Sequence, residues 1–250
     1  SDIGTFENRT DEILSGVESG WTDEQKALYL HDYLVTHCEY DLTYSNYSAY
    51  DAMVLGSSVC QGYALAYRYL LYNCGVSTIM VTSSDLNHAW DLVTIGGDQY
   101  YVDCTWDDPT YSGSYTWYED YCGHDNFLRS TDGLTATGHT STDWVDIDGN
   151  DVYSGVTTGT AYENAWWSDS ISAIPHVNDC WAYALGSSGS VYIHNYSSGS
   201  DLYLFDLNGI WYGWGESWYY TGFSHLASYG SWFYASTADT IYRFSAAGDR

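Results

Sequence analysis

From Cys60 to Cys74 the residues Cys60, Tyr63, Ala64, Tyr67, Leu70, Leu71 and Cys74 recur at steps of three and four. That is the spacing of one apolar helix face. Residues 76–83, 87–95 and 99–105 follow as strand-like runs, the last two joined through Gly96-Gly97-Asp98, a Gly-rich hairpin signal. Ser57 and Ser58 offer hydroxyls for the helix N-cap, and Gly75 is a natural stop.

This framework puts Cys60 at the N-terminal end of the buried stripe, where the helix dipole favours a thiolate. Gly62 lets another backbone or a substrate approach closely. A core cysteine explains the stripe equally well; the difference lies in the partners. On the first hairpin strand His88, Trp90 and Leu92 share a face, and on the second Tyr101, Asp103 and Thr105 do. An even-length loop pairs these faces and makes His88 and Asp103 cross-strand or diagonal neighbours, about 5–8 Å apart. An odd loop or a bulge sends them to opposite faces. Paired, the three supply a nucleophile, a base and a carboxylate that fixes the imidazole tautomer.

Upstream, Thr22-Asp23-Glu24-Gln25 reads as a capping box. It opens a helix with the inner stripe Ala27, Leu28, His31, Leu34, Val35 and Cys38. Cys38 and Cys74 read as core, Cys104 as facing away from Asp103, and Cys122 and Cys180 as lying near turns. Six cysteines in 250 residues make no dense disulfide scaffold. With neither a C-x-x-C pair nor a His/Cys cluster at metal spacing, no metal and no cofactor is expected. Asp146-Ile147-Asp148-Gly149-Asn150-Asp151 reads as an acidic turn, its glycine coming too early for an EF-hand loop.

A net charge of −27 with six basic residues argues against nucleic-acid binding, since phosphate contacts need Lys and Arg. It favours neutral or basic substrates, or else simply aids solubility. No apolar run is long enough to span a membrane. The chain opens without Met and without a signal peptide, and reads as a mature or trimmed segment.

Four short stretches in series carry a family resemblance. They are residues 23–34 followed by Tyr40-Asp41; Val59-Cys60-Gln61-Gly62-Tyr63-Ala64; Asn87-His88-Ala89-Trp90; and Val102-Asp103-Cys104-Thr105-Trp106-Asp107-Asp108-Pro109. Together they resemble the bacterial cysteine-peptidase branch of the transglutaminase-like superfamily, related in architecture to papain-type peptidases. The likeness continues more loosely through Asn126-Phe127-Leu128 and Gly138-His139 to about Trp166. The resemblance implies Cys60 as nucleophile, His88 as general base and acid, Asp103 as orienting carboxylate, and acyl transfer through a thioester. An oxyanion hole would join the Cys60 amide to a second donor, which family members often supply from a side chain upstream of the nucleophile. Tyr50 and Asn46 are the candidates there; Gln61, Trp90 and Trp106, within the motifs, are candidates for substrate contact. His124 and His139 fall where the resembling family closes its domain, with a groove role the weaker reading.

After about Ala165 the helical periodicity ends, and aromatic runs alternate with Gly, Ser, Asn and Asp turns. Trp181-Ala182-Tyr183-Ala184 with Val191-Tyr192-Ile193-His194 echoes Trp232-Phe233-Tyr234-Ala235 with Ile241-Tyr242-Arg243-Phe244, an offset of about 50 residues that suits a propeller blade. Trp211-Tyr212-Gly213-Trp214 and Ser217-Trp218-Tyr219-Tyr220 read as a hairpin between the copies. Two blades close no propeller, so this is a small open sheet or a piece of a longer array. Its aromatics are the sheet's own core or a surface for glycan or cell wall.

The expectation is therefore α+β: a papain/transglutaminase-like core over residues 1–165, with a Cys-bearing helix on an antiparallel sheet, then a small aromatic-rich all-β accessory domain over 166–250. The expected protein is exported to the cell surface or medium and hydrolyses or transfers amide bonds of peptides or proteins. Peptidase or amidase is preferred to a cross-linking transglutaminase; the alternative is a non-catalytic adhesion or glycan-binding protein on the same scaffold.

Overall fold

The computed structural model describes residues 2–108, 123–163 and 165, the strands at 180–185, 190–195, 201–206, 211–213, 225–229 and 232–236, and residues 239–245. Contacts divide the chain into two compact units, with the division after Glu163.

The first unit holds helices α1 (Asp2–Leu14), α2 (Asp23–His37), α3 (Cys60–Asn73) and α4 (Thr131–Ala136). Its strands are β1 (Glu39–Tyr40), β2 (Ser57–Ser58), β3 (Thr78–Ser83), β4 (His88–Ile95), β5 (Asp98–Val102) and β6 (Val145–Asp146). The last four form one antiparallel sheet in the order β5-β4-β3-β6. Helix α3 packs on β3 and β4, and α2 packs on α3. Beneath the hairpin, Val81, Trp90, Leu92, Tyr101, Leu134, Trp144 and Val152 make a buried cluster.

Helix α2 starts as its sequence dictates. The Thr22 hydroxyl accepts from the Gln25 amide and the Gln25 side chain accepts from the Thr22 amide, a complete capping box. Helix α3 starts differently from expectation. Its N-cap is Val59, with no side-chain cap, because Ser57 and Ser58 pair in parallel with Glu39 and Tyr40. The Ser58 hydroxyl donates to the Asn46 carbonyl, 3.1 Å away, and the Val59 amide donates to the same oxygen at 2.9 Å. Strand pairing thus holds the serines and leaves Cys60 as the first helical residue. A Cβ on Gly62 would meet Ser58 Oγ at 1.8 Å and the Ser48 carbonyl at 2.8 Å, so this approach needs a glycine. At the far end Gly75 takes φ +78, while the Val76 amide donates to Leu71 O and the Gly75 amide to Tyr72 O. This is a Schellman stop. Cys74 at that end is half-buried rather than core.

The β4–β5 turn settles the register. Gly96 and Gly97 both have positive φ, +63° and +96°, and Ile95 pairs with Asp98. The loop is therefore two residues long, with Asp98 in the strand, and its glycines suit a primed hairpin turn. Continuing the register past Asp91–Val102 puts position 103 opposite Trp90. His88 is then diagonal to Asp103 on the same face.

Beyond Glu163, β7 (Cys180–Leu185), β8 (Ser190–Asn195), β9 (Asp201–Asp206) and β10 (Trp211–Gly213) form an antiparallel meander. Strands β11 (His225–Tyr229), β12 (Trp232–Ser236) and β13 (Ile241–Ser245) form another. The two echoing sequence copies are the hairpins β7–β8 and β12–β13, in separate sheets. Ser217-Trp218-Tyr219-Tyr220 and Cys122 lie outside the described residues. No helix among the described residues is long and apolar enough to cross a membrane.

Candidate active site

Cys60 opens α3, His88 opens β4 and Asp103 directly follows β5. The hairpin register thus brings the second and third to one place, and the helix lying on the hairpin brings the first. His88 Nε2 donates to Asp103 Oδ2 at 2.7 Å. The same imidazole hydrogen-bonds the Cys60 side chain, which leaves Nδ1 for the thiol. Cys60 is half-buried, so a reactant can reach it.

The electrostatics of the site are set by a buried anion. Burial works against a charged His88, but the charge and hydrogen bond of Asp103, with a contribution from Cys60, outweigh it and push the imidazole up to about 10. Asp103 is held well below the usual carboxylate range. Burial again opposes; the His88 charge and the hydrogen bonds from His139 and His88 prevail. Its other oxygen, Oδ1, accepts from the backbone amides of Thr105 at 2.9 Å and Trp106 at 3.3 Å. On the same strand as His88, burial and then the nearby Asp103 charge push the Asp91 carboxyl well above its ordinary value.

Trp106 stacks on His88, with centroids 5.1 Å apart and planes 27° apart, and is 39% exposed. Trp90 is 1% exposed and lies under the site, its ring 5.7 Å from His88 and 5.2 Å from Trp144. Its ring packs the floor beneath His88. Gln61 is exposed on the first turn of α3. Tyr50 precedes the π-turn Asp51–Leu55 and stacks on Phe6 of α1 at 6.4 Å. Asn46 uses its carbonyl to hold the start of α3, and its amide donates to Asp41 Oδ2 at 2.9 Å.

Two features beyond Cys60, His88 and Asp103 emerge. The first is His139, fully buried, whose Nε2 donates to Asp103 Oδ2 at 2.9 Å. The second is a polar network under α2. His31 Nδ1 meets Asp32 Oδ1 at 2.5 Å and His31 Nε2 meets Asp107 Oδ2 at 3.1 Å. Carboxylates only accept, so both ring nitrogens carry protons. The two aspartates override burial and push this imidazolium up to about 9. His124 Nε2 donates to Asp32 Oδ1 at 2.9 Å, and the Asn126 side-chain amide donates to Asp107 Oδ1 at 2.9 Å. The network ties α2 to the turn that carries Asp103. The adjacent pair His31-Asp32 on a buried helix stripe is a sequence signal for it; for His139 the signal is only its place in the looser continuation of the family resemblance.

The groups His31/Asp32/His124 and His88/Asp103/His139 have ligand atoms close enough to hold a cation. In each, hydrogen bonds between those atoms already account for the spacing. Asp146, read as an acidic turn, accepts from the Asp148 and Asn150 amides and the Asn150 side chain, an Asx-type turn.

Residues 9–119 match the family model of the transglutaminase-like superfamily, and they span Cys60, His88 and Asp103. This segment is therefore similar to a transglutaminase-like domain. Among solved structures, a TGase resembles the chain with a TM-score of 0.35 at 13% identity, over 42% of this chain and 31% of that one. A candidate cysteine protease from Cytophaga hutchinsonii resembles it with a TM-score of 0.33 at 22% identity, over 40% of this chain and 37% of that one. The chain thus spans well under half the length of either neighbour. No curated protein matches it. In the transglutaminase-like domain, the mixed helix and antiparallel-sheet core is the part that builds the site.

Proposed function

We propose that the transglutaminase-like domain is a cysteine-dependent peptidase or amidase acting on amide bonds of peptides or proteins. The observation that carries this reading is the hydrogen-bonded series Cys60–His88–Asp103 at the start of α3. A series of nucleophile, base and orienter is the constellation that acyl transfer requires.

Cys60 Sγ, its proton held by His88, attacks the amide carbonyl carbon. The carbonyl electrons move to oxygen, which the Cys60 amide at the α3 N-terminus stabilises. His88 then gives its proton to the amide nitrogen, the C–N bond breaks and the amine leaves, so the acyl group remains as a thioester. Water, deprotonated by His88, attacks the thioester carbon; the acid departs and the thiol is restored. Asp103 holds His88 in the tautomer with Nε2–H throughout. Trp106, exposed beside His88, offers a face to the acyl donor. The surplus of 33 acidic over 6 basic residues favours neutral or basic donors. In this reading the protein is exported, and the strands beyond residue 165 form an all-β accessory domain that contributes binding of peptide, glycan or cell wall.

Incubation with unfolded protein and with glutamine-containing peptides, reading new amino termini and released ammonia, tests this. Wild type should turn over amide bonds, and Cys60→Ser should lose at least about 10³-fold of that rate. Added primary amine should be a minor acceptor against water. Turnover that survives in Cys60→Ser would overturn the proposal.

A further inference from the structure

We infer that His139 is a positioning residue for the proposed reaction: it fixes the carboxylate of Asp103, and through it the ring of His88. The inference rests on the acyl-transfer reading only for its kinetic consequence.

Four donors surround Asp103. Backbone amides of Thr105 and Trp106 take Oδ1, while His88 Nε2 and His139 Nε2 both take Oδ2, at 2.7 and 2.9 Å. With the two amides alone the carboxylate could rock about its Oδ1 anchor; two imidazoles on the other oxygen define its plane. His139 comes from an element outside the hairpin, just past α4, where its amide donates to Leu134 O. Its ring is clamped between Trp106, at 4.0 Å, and the edge of Trp90, at 5.1 Å. Gly138 makes the clamp possible: with φ +126°, a Cβ there would sit 3.0 Å from Trp106 Cζ3.

The other ring nitrogen argues against mere filling. His139 Nδ1 is buried and has no hydrogen-bond partner. An aromatic hydrocarbon ring would occupy this tryptophan-lined space without an orphaned polar atom, which costs stability when buried. The imidazole retains one useful group here, its Nε2–H, and gives it to Asp103.

The test compares wild type, His139→Phe and His139→Gln, with His139→Leu replacing the Phe variant if that one does not fold. Phe keeps ring volume without the donor, while the Gln amide can still reach Asp103 Oδ2. Thermal unfolding confirms that each is folded. The first readout is the His88 ring N–H resonance in protein labelled with 15N-histidine. The second is the alkylation rate of Cys60 by iodoacetamide at a fixed, mildly acidic pH. In His139→Phe the ring proton should exchange with water, and Cys60 should label, each altered by about tenfold or more in the direction of a looser site; Gln should recover both to within about threefold. A folded Phe or Leu variant that keeps the wild-type resonance and rate overturns the inference, as does a Gln variant no better than Phe. A wild type without fast Cys60 labelling, whose His88 resonance is still lost in the Phe variant and kept in Gln, would sink the acyl-transfer reading and leave the positioning role standing.

Discussion

Asp103→Asn should leave a folded protein that has lost about 10⁴-fold of its turnover, the scale seen when the orienting aspartate of a serine-protease triad is changed the same way. The asparagine oxygen can replace Oδ1 and keep the Thr105 and Trp106 amides. Its amide nitrogen then faces His88 and His139, both of which donate to the present Oδ2. A donor cannot meet a donor, so His88 must turn its bare nitrogen to position 103 and its N–H towards Cys60. In that tautomer it cannot accept the thiol proton. The lost negative charge also removes what holds His88 at about 10. Steady-state kinetics beside a denaturant titration separate the two effects: kcat/KM should collapse while the unfolding midpoint shifts modestly. A variant with near-wild-type kcat/KM would remove Asp103 from the mechanism.

His31→Leu should destabilise the first unit by about 3–5 kcal/mol, the cost of removing one partner from a buried ion pair. Leucine fills the space, but Asp32 and Asp107 then lie buried without the imidazolium between them. The wild type carries the same information in its pH dependence. The His31 pKa is raised from 6.5 unfolded to about 9 folded. A raised pKa means that its stabilisation is complete below pH 6.5 and is lost as pH rises through about 9. His88, raised to about 10, and the buried Cys38 thiol, pushed up to about 12 by burial, add alkaline losses of their own. Urea unfolding at stepped pH should therefore show stability falling from pH 7 to 10, with a shallower fall in His31→Leu. Equal slopes in the two proteins would mean that His31 is not the charged group under α2.

What could be read from the sequence was whatever depends on near neighbours. The capping box at Thr22, the glycine stop at Gly75 and the two-glycine turn are local devices, and each forms as its residues require. Because that turn has an even number of residues, the meeting of His88 with Asp103 was legible as well. What failed to show depends on distant chain. The start of α3 moved to Cys60 because Ser57 and Ser58 pair with Glu39 and Tyr40, a contact no local rule predicts. Helix α1 gives no stripe because, of its residues, only Thr10 and Ile13 are buried. His139 reaches Asp103 across 36 residues, and His31 reaches Asp107 across 76. Trp90 and Trp106 look alike as motif aromatics, yet the first is a floor and the second a rim; only packing distinguishes them.

The proposed reaction depends on activation of Cys60 by His88. The pH dependence of Cys60 alkylation, mapped by peptide mass spectrometry in wild type and His88→Ala, tests it most directly. Labelling at Cys60 below about pH 7 should outpace an ordinary thiol and be slowed by the substitution. Labelling of Cys60 no faster than a free thiol, or equally fast without His88, would contradict it.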